Sequence, residues 1–326
     1  MVGRHFMGGI QRIAIIGLGT MGHGIAQTFA MAGCEVTGFD DVPAAGQSLH
    51  DRVRQNLRDF VAAELFPADQ VDAVLRRITI ANTEAVAVRD VQFVTEVVRE
   101  DLASKQELFA RLEPLVSDDT ILSSNSSTFP ISQSGARLKR PERAVVTHWF
   151  NPPHIVPTVE VVGSPHTNEA TIQATLDLLR RSGKLAIRIN QELPGFLVNR
   201  VQIAVMREVW DLLERGVASV EDIDAAIQGS MGFRLAALGP LRIHDFGGLD
   251  VQTAVFRNLT PEIASGTTVP PTVQRIVDAG HHGFKTGQGF YRYSPETAEQ
   301  IRSDRDQRYL SLLKLFHQRN SAKDES

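Results

Sequence analysis

The chain has 326 residues, about twice the length of a typical domain, which favours two packed units over one. Its composition, 42% hydrophobic and 22% charged, is that of a globular protein and excludes disordered and fibrous classes. The net charge of −4 provides no basic field, so we expect neither nucleic acid nor anionic lipid as a partner.

Short β-branched runs alternate with amphipathic segments of helical length from Arg12 to about Asn190. This alternation predicts an α/β fold, a doubly wound and mostly parallel sheet between layers of helices. Between the second and third strands, Pro43 to Arg77 is too long for a simple crossover and predicts an inserted helix pair. The predicted strands are Ile13 to Ile16, Glu35 to Phe39, Ile78 to Ala81, Phe93 to Val97, Thr120 to Ser123, Val145 to Trp149, Val159 to Val162 and Leu185 to Ile189.

The pattern changes after Gln191, where Leu193-Pro194-Gly195 precede a run of helical periodicity. We therefore divide the chain into a first domain over residues 10–192, with the helical insertion at 43–77, and an all-helical second domain over 193–326. The helices predicted in the second domain are Phe196 to Arg215, Val220 to Gln228, Asp245 to Asn258, Thr272 to Ala279 and Pro295 to Asn320.

One cysteine and a broken apolar stretch bear on the compartment. Cys34 has no second thiol with which to form a disulfide or a CxxC metal site, so we expect a reducing cytoplasm and no metal. The most apolar stretch, Ile13 to Phe39, is interrupted by glycines and polar residues and cannot form a membrane-spanning helix. We therefore expect a cytoplasmic protein.

A glycine-rich turn follows the first predicted strand and opens a helix, the context in which GxGxxG indicates dinucleotide binding. Gly17 permits the tight turn, Gly19 lets the backbone approach a pyrophosphate, and Gly22 lets the helix pack on the strand. Asp40 ends the second strand, where a carboxylate can accept hydrogen bonds from an adenine ribose. The predicted cofactor-binding residues here are Gly17, Gly19, Thr20, Met21, Gly22 and Asp40.

The end of the second strand favours NAD over NADP. Asp41 follows Asp40, and no lysine or arginine occurs before Arg52. A 2′-phosphate would therefore meet negative charge without a cation nearby in the sequence.

A histidine and a glutamate occur in two neighbouring predicted strands. His148 lies at the end of its strand, and Glu160 lies in an otherwise apolar strand where a buried carboxylate needs a partner. A carboxylate that orients an imidazole, whose other nitrogen takes a hydroxyl proton, is the arrangement that alcohol oxidation requires. A lone histidine at a strand end is more often structural, so the residues alone leave both interpretations open.

Five motifs together resemble one family. They are GLGTMGHGIAQ from Gly17, SSNSS from Ser123, HWFNP from His148, PGFLVNR from Pro194 and GFKTGQGFY from Gly283. With these motifs the chain resembles the L-3-hydroxyacyl-CoA dehydrogenases from Ile13 to Tyr293. The resemblance implies a Rossmann domain that binds NAD and a helical domain that binds substrate and forms a homodimer.

The resemblance also implies residue roles. It makes His148 the general base, Glu160 its partner, and Ser127 and Asn199 the hydrogen-bonding groups around the reacting oxygen. The serine lies 21 residues before the histidine, as in the family's S-N-x-S pattern. The residues implied for the nicotinamide half of the cofactor are Glu100, Lys105, Ser127, Asn151 and Lys285.

The expected reaction is oxidation of the alcohol of a 3-hydroxyacyl-CoA, such as 3-hydroxybutyryl-CoA, which would place the enzyme in fatty acid metabolism. Two departures from the acyl-CoA pattern keep a small free hydroxy acid as an alternative. The segment 43–77 contains no lysine, and the segment 231–240 is longer and resembles the branch with L-gulonate, carnitine and pyridine-carboxylate dehydrogenases. Arg234, in that second segment, is a candidate partner for a substrate carboxylate, although an exposed arginine near a helix end is equally compatible with the sequence.

Two other classes remain as alternatives. A binder of NAD without catalysis, like the crystallin of this family, would need only the glycines and Asp40, so the presence of His148 and Glu160 argues against it. A β-hydroxyacid dehydrogenase with an unrelated second domain would need a catalytic lysine in Phe196 to Arg215, which contains none.

Overall fold

A computed structural model describes residues 9–324, and its first half is built on one eight-stranded sheet. The strand order is β3-β2-β1-β4-β5-β6-β7-β8, and every neighbouring pair is parallel except β6 and β7. All eight predicted strands are confirmed, with each boundary within one residue of its prediction. The strands are β1 Arg12–Ile16, β2 Glu35–Phe39, β3 Ile78–Ile80, β4 Phe93–Glu96, β5 Ile121–Ser124, β6 Ala144–Trp149, β7 Thr158–Gly163 and β8 Leu185–Ile189.

Helices connect the parallel strands, and the segment 43–77 is a helical insertion between β2 and β3 as predicted, although it contains three α-helices and not a pair. Within the insertion, α3 is amphipathic and buries Leu49, Val53, Leu57 and Phe60. The helices of this half are α1 Gly22–Met31, α2 Pro43–Gln47, α3 Leu49–Ala62, α4 Val71–Arg76, α5 Glu84–Ala87, α6 Leu102–Leu112, α7 Ile131–Ser134 and α8 Glu169–Arg181.

Apolar clusters cover both faces of the sheet. Ile13 and Ile15 of β1 belong to the cluster that also contains α1, α3 and α8, whereas Ala14 and Ile16 belong to the cluster with α6. Successive side chains of a strand point to opposite faces, so β1 is buried on both. This burial fixes the central strand from which the glycine-rich turn emerges.

The remaining helices follow residue 197, and the chain separates there into a unit Val198–Arg302 and a unit that holds the sheet. The helix α11 was not predicted, and only the last residues of α12 lie in a predicted helix. Gly239-Pro240 lies at the break between these two helices, and Pro240 is the first residue of α12, where its missing N–H costs no hydrogen bond. The helices are α9 Val198–Glu214, α10 Val220–Ile227, α11 Phe233–Ala237, α12 Pro240–Gly247, α13 Leu249–Leu259, α14 Pro271–Asp278 and α15 Pro295–Asp324.

The predicted helix Asp245 to Asn258 is wrong as a single element. It is divided between α12 and α13 by Gly248, whose φ of +82° is unfavourable for other residues and ends the first helix. Sequence periodicity alone did not reveal this interruption because apolar residues recur on both sides of it.

The last helix, α15, packs with the sheet unit from Ser303 onward. Leu310 and Leu313 are buried against Phe60 of α3 and Ile155, a residue of the connection between β6 and β7. The terminal helix therefore covers part of the insertion and of that connection. Along residues 9–324, no helix has the length and apolar character needed to cross a membrane.

Candidate active site

The three glycines of the turn after β1 are required for different reasons. Gly17 has a φ of +103°, and a Cβ there would lie 2.5 Å from the carbonyl oxygen of Val97. At Gly22 a Cβ would lie 1.9 Å from the carbonyl oxygen of Gly17. At Gly19 a Cβ would meet no protein atom within 4 Å, so the packing of the protein does not require glycine at this position. The open space above Gly19 is what a pyrophosphate needs for close approach.

The N-terminus of α1 faces the same turn. Met21 is its N-cap residue and makes no side-chain capping hydrogen bond, and the first turn contains no acidic residue. Thr20 is exposed beside it. Uncapped backbone N–H groups and the helix dipole favour an anion here, so the residues present fit a dinucleotide phosphate.

Asp40 at the end of β2 closes the turn from the other side. Its Oδ2 accepts a hydrogen bond from the backbone N–H of Leu18 at 2.6 Å, and its Oδ1 accepts one from Val42 at 2.8 Å. Asp40 also lines a cavity of about 610 Å³ together with Gly17 and Gly19. The carboxylate is therefore fixed beside a space that an adenosine can fill.

Arg52 of α3 is a residue of this site that the sequence did not identify. Its Nη2 donates to the carbonyl oxygens of Leu18 and Ala45, both at 2.7 Å, and its Nη1 donates to that of Gly19 at 3.1 Å. Burial lowers the pKa of its guanidinium, although the charge of Asp40 opposes this shift. Arg52 thus links the insertion to the glycine-rich turn. The two positions are 33 residues apart, so no local sequence motif predicts this contact.

His148 and Glu160 are opposite each other in the antiparallel pair of β6 and β7. Nδ1 of His148 lies 2.7 Å from Oε2 of Glu160, and the two residues are 2% and 0% exposed. A carboxylate can only accept, so Nδ1 carries the proton and Nε2 is the acceptor of the neutral ring. The backbone N–H of Leu197 donates to Oε1 of Glu160 at 3.1 Å, so both carboxylate oxygens have donors.

Two phenyl rings surround the imidazole. The ring centroid of Phe150 lies 4.5 Å from that of His148, and the centroid of Phe196 lies 5.4 Å from it. Phe196 is 2% exposed and has a φ of +52°, which is rare for a residue with a side chain. From the sequence, Phe196 was predicted to begin a helix. In the structure it lies before α9, and its ring lies beside the imidazole of His148.

Glu100 organises the turn that contains Ser127. Its Oε1 accepts hydrogen bonds from Ser126 Oγ at 2.6 Å, the Ser127 N–H at 2.9 Å and the Thr128 N–H at 3.0 Å. Burial opposes ionisation of Glu100, but the hydrogen bonds from Ser126 and Thr128 and the charge of Lys105 outweigh it and lower its pKa. The contact observed for Glu100 is therefore with the serine turn.

Lys105 lies beneath Glu100. Its Nζ is 3.2 Å from Oε2 of Glu100 and donates to Oε1 of Glu96 at 2.8 Å. Ser124 donates to the other oxygen of Glu96 at 2.6 Å. Lys105 is 1% exposed and Glu96 fully buried, so this ion pair supports the ends of β4 and β5 from within the protein. Sequence reasoning did not single out Glu96, although a glutamate in a buried strand was a usable signal.

Four other predicted residues lie elsewhere. Asn151 is exposed just after β6, two residues after its last residue. In the unit Val198–Arg302, Asn199 is half-buried in the first turn of α9, and Lys285 is exposed in a short 3₁₀ turn. Arg234 of α11 is exposed, and its Nε donates to the carbonyl oxygen of Ser230 at 3.3 Å. Throughout the described residues, no group of three His, Cys, Asp or Glu side chains is arranged to hold a metal ion.

Two family models match this chain. Residues 12–192 match the 3-hydroxyacyl-CoA dehydrogenase NAD binding domain, and residues 195–293 match the 3-hydroxyacyl-CoA dehydrogenase C-terminal domain. Together they cover the sheet, the glycine-rich turn, the His148–Glu160 pair and most of the helical unit. They end before α15 begins.

Individual relatives point to the same family. The chain is 34% identical over 312 residues to 5-formyl-3-hydroxy-2-methylpyridine 4-carboxylate 5-dehydrogenase of Mesorhizobium japonicum, covering 95% of this chain and 99% of that enzyme. It is 35% identical over 287 residues to 3-hydroxybutyryl-CoA dehydrogenase of Mycobacterium tuberculosis, covering 87% of this chain and 99% of that enzyme. A crystal structure of the NAD-dependent pyridine-carboxylate enzyme superposes with a TM-score of 0.89 at 32% identity, covering 94% of this chain and 99% of that one. The chain therefore belongs to the 3-hydroxyacyl-CoA dehydrogenase family and is an NAD-dependent dehydrogenase that acts on a hydroxyl group.

Proposed function

We propose that the protein oxidises the secondary alcohol of a hydroxy acid or hydroxyacyl substrate with His148 as the general base and Glu160 as its partner. The buried contact of 2.7 Å between the two side chains carries this proposal. Because Glu160 binds Nδ1, the ring keeps the tautomer in which Nε2 can take a proton. The same carboxylate stabilises the imidazolium that results.

The alcohol loses a proton and a hydride in this reaction. Nε2 of His148 takes the proton from the hydroxyl oxygen as that oxygen becomes a carbonyl. A bound NAD would supply the acceptor for the hydride that leaves the carbinol carbon. In the reverse direction His148 returns its proton to the forming alkoxide. Ser127 and Asn199 are proposed to donate hydrogen bonds to the reacting oxygen, where charge develops.

The residues that would hold NAD come from the turn and the strand ends. The backbone of Gly17, Gly19, Thr20, Met21 and Gly22 would bind the pyrophosphate, and Asp40 would bind the adenine ribose. The contacts proposed for the nicotinamide half involve Glu100, Asn151 and Lys285, with Lys105 acting through its contact with Glu100 at 3.2 Å.

Charges on the insertion favour a free acid over a coenzyme A thioester. Residues 43–77 contain five arginines and five acids and no lysine. Arg52 binds the glycine-rich turn, Arg54 pairs with Asp72 at 3.3 Å, and Arg77 donates to the carbonyl oxygen of Ala30 at 3.2 Å. Most of the cations of this segment are therefore engaged by the protein itself, which leaves few for phosphates of a large substrate.

The extent of the match to each relative also favours a free acid. The match to the pyridine-carboxylate enzyme covers 95% of this chain. The part left uncovered is about half as long as α15, which has 30 residues. About half or more of α15 therefore has a counterpart in that enzyme. The match to the 3-hydroxybutyryl-CoA enzyme covers less of this chain, 87% against 95%, although both cover 99% of the relative.

Arg234 is the proposed partner of the substrate carboxylate. It is exposed, and the only hydrogen bonds of its side chain to described residues are the long ones to Ser230, at 3.3 Å to the carbonyl and 3.4 Å to the hydroxyl. No carboxylate of the described chain pairs with it, so its charge is available to a ligand.

A 3-hydroxyacyl-CoA, such as 3-hydroxybutyryl-CoA, is the second candidate. Both family models carry the acyl-CoA name, and the M. tuberculosis relative is as similar in identity as the pyridine-carboxylate enzyme. The proton and hydride chemistry is the same for both substrates, so only the recognition of the acid or thioester distinguishes them.

A second copy of the chain is the proposed partner of the helical unit. Leu249, Phe256 and Leu259 lie on one face of α13 and are 58%, 68% and 54% exposed. Large apolar side chains repeated on one helix face are typical of an interface. We assign this face to a homodimer because the resemblance to the family implies one.

The compartment proposed is the cytoplasm. Cys34 is buried, and burial raises the pKa of its thiol, so it is held as an unreactive protonated side chain. An oxidising compartment stabilises proteins by allowing disulfides, and a chain with one buried cysteine cannot form one within itself.

Gly19→Ala is expected to weaken NADH binding without lowering the melting temperature. The new methyl group meets no protein atom but occupies the space proposed for the pyrophosphate. We expect Kd for NADH, measured by fluorescence titration, to rise about tenfold or more, a loss of roughly 1.4 kcal/mol. Gly266→Ala, at a site equally free of neighbours, is the control. An unchanged Kd in Gly19→Ala would contradict the assignment of the turn.

His148→Gln is expected to bind NADH normally and to lose turnover by roughly 10²- to 10⁴-fold, because the base is removed. Glu160→Gln should also lower turnover, since the amide cannot stabilise an imidazolium. His166→Gln changes an exposed histidine and is the control. Near-normal kcat in His148→Gln would exclude this residue as the base, and absence of activity in the wild type on every substrate would favour a binder without catalysis.

Substrate class can be decided by following NADH formation with free acids beside thioesters. We expect activity with acids of the gulonate, carnitine or pyridine-carbinol type to exceed that with 3-hydroxybutyryl-CoA. Arg234→Ala should raise KM for the best acid by roughly 10- to 100-fold with little change in kcat, as expected for loss of a charged hydrogen bond. Arg180→Ala is the matched control. Higher kcat/KM with the thioester would establish the second candidate instead.

Light scattering after gel filtration is expected to give twice the mass of one chain. Phe256→Asp places a charge on the proposed interface and should shift the protein to monomer at micromolar concentration. Leu115→Asp, at a partly exposed leucine of the sheet unit, should remain a dimer. A wild-type monomer, or a Phe256→Asp dimer, would refute the assigned face.

A further inference from the structure

The connection between β6 and β7 is held from beneath by a buried lysine that the proposed chemistry does not use. Lys184 lies between α8 and β8 and is 8% exposed. Its Nζ donates to the carbonyl oxygens of Pro153 at 2.7 Å and Val156 at 2.9 Å, with the carbonyl oxygen of His154 at 3.5 Å. An ammonium has three N–H donors, and three carbonyls of one connection surround it.

Lys184 has no acidic partner among the residues that the structure describes. The groups around it are the indole of Trp149, whose ring centroid lies 5.5 Å from Nζ, the imidazoles of His154 and His317, and the carbonyls. Burial lowers the pKa of Lys184 to about 7, so the ammonium form predominates below that pH, and it lowers the pKa of His154 to about 3, so the histidine beside it is neutral. A buried cation without a carboxylate is costly, and an apolar side chain would fill the same space at lower cost.

The connection that Lys184 binds joins the two residues of the proposed base. His148 precedes it by two residues, Asn151 lies at its start, and Glu160 follows in the register position opposite His148. The N–H groups of Ile155 and Val156 both donate to the carbonyl oxygen of Pro152, at 3.1 and 2.9 Å, which forms one tight turn.

The connection between β6 and β7 also packs against α1, the helix that follows the glycine-rich turn. A Cβ at Gly24 of α1 would lie 2.7 Å from Nδ1 of His154 and 2.8 Å from Cγ of Pro153. On its other side, Ile155 packs with Leu310 and Leu313 of the terminal helix. A displacement of this turn would therefore change the positions of both α1 and Asn151.

We propose that Lys184 is a positioning residue of the dehydrogenase, whose ammonium fixes the connection between β6 and β7 and thereby the placement of Asn151 and of the His148–Glu160 pair. The proposal rests on the roles given above to these three residues. It explains why a cation is kept in a place that favours apolar packing. Loss of the ammonium should raise KM for NAD and lower kcat, roughly 10- to 100-fold in kcat/KM, as expected when reacting groups are slightly misplaced.

The test compares Lys184→Met with Leu112→Ala. Methionine keeps the apolar stem and removes the donors, whereas Leu112→Ala opens the core at α6, away from the connection, and serves as a variant of reduced stability. Both are assayed well below their melting temperatures. The expected result is a fall in kcat and a rise in KM for NAD in Lys184→Met alone. Lys184→Gln, which keeps two N–H donors, should lose less and provides a second variant should methionine prevent folding.

Chemical rescue by an added ion distinguishes a role of the ammonium itself from a general loss of stability. Lys184→Ala removes three side-chain carbons and the ammonium, and propylammonium has the same number of carbons and the same charged group. Added propylammonium should therefore restore kcat/KM of Lys184→Ala in a saturable manner. Tetramethylammonium cannot donate hydrogen bonds and should not restore it, and Lys184→Met should respond to neither ion because its side chain fills the space.

The proposal is overturned if Lys184→Met matches Leu112→Ala in kcat and KM, or if tetramethylammonium restores Lys184→Ala as well as propylammonium does. These outcomes are separable from failure of the proposed base. His148→Gln tests that base directly, whereas rescue of NADH affinity in Lys184→Ala reports on the connection even if another residue takes the proton.

Discussion

The hydrogen bond between His148 and Glu160 is the interaction on which the rest of the site depends. Glu160 is fully buried, and a carboxylate removed from water is stable in the fold only when donors meet its oxygens. Those donors are the imidazole of His148 and the N–H of Leu197. The antiparallel pairing of β6 and β7 provides the first, because its register places these two residues directly opposite each other.

Sequence patterns predicted the sheet and the glycine-rich turn because both depend on local rules. Strands buried on two faces appear as short apolar runs, and a GxGxxG motif after a strand has few alternatives. The same rules failed around Gly248, where a single left-handed residue divides two helices of similar periodicity. Gly239-Pro240 follows the usual rule, because the chain breaks there between α11 and α12 and proline is tolerated at the first position of a helix.

Contacts between distant positions account for most of what the sequence did not reveal in the site. Arg52 reaches Gly19 across 33 residues, and Lys184 reaches Pro153 across 31. Neither belongs to a motif, and an arginine or lysine in a helical or loop segment ordinarily lies in solvent. Phe196 was placed in a helix by its apolar neighbours, whereas its backbone adopts a left-handed conformation that pattern analysis does not detect. Glu96 was visible in a predicted strand, but its partners Lys105 and Ser124 were not.

The hydrogen bonds of Arg52 limit how cofactor preference can be redesigned. Replacing Asp40 by a small neutral residue would remove the repulsion that a 2′-phosphate meets at the end of β2, and the guanidinium of Arg52, whose charge interacts with Asp40, is one candidate to bind it. That guanidinium already donates to three carbonyl oxygens, of Leu18, Gly19 and Ala45. Turning it toward a phosphate would remove one donor from each of those carbonyls and loosen the turn that we propose holds the pyrophosphate. An enzyme that accepts NADP would therefore need a cation other than Arg52 for the 2′-phosphate.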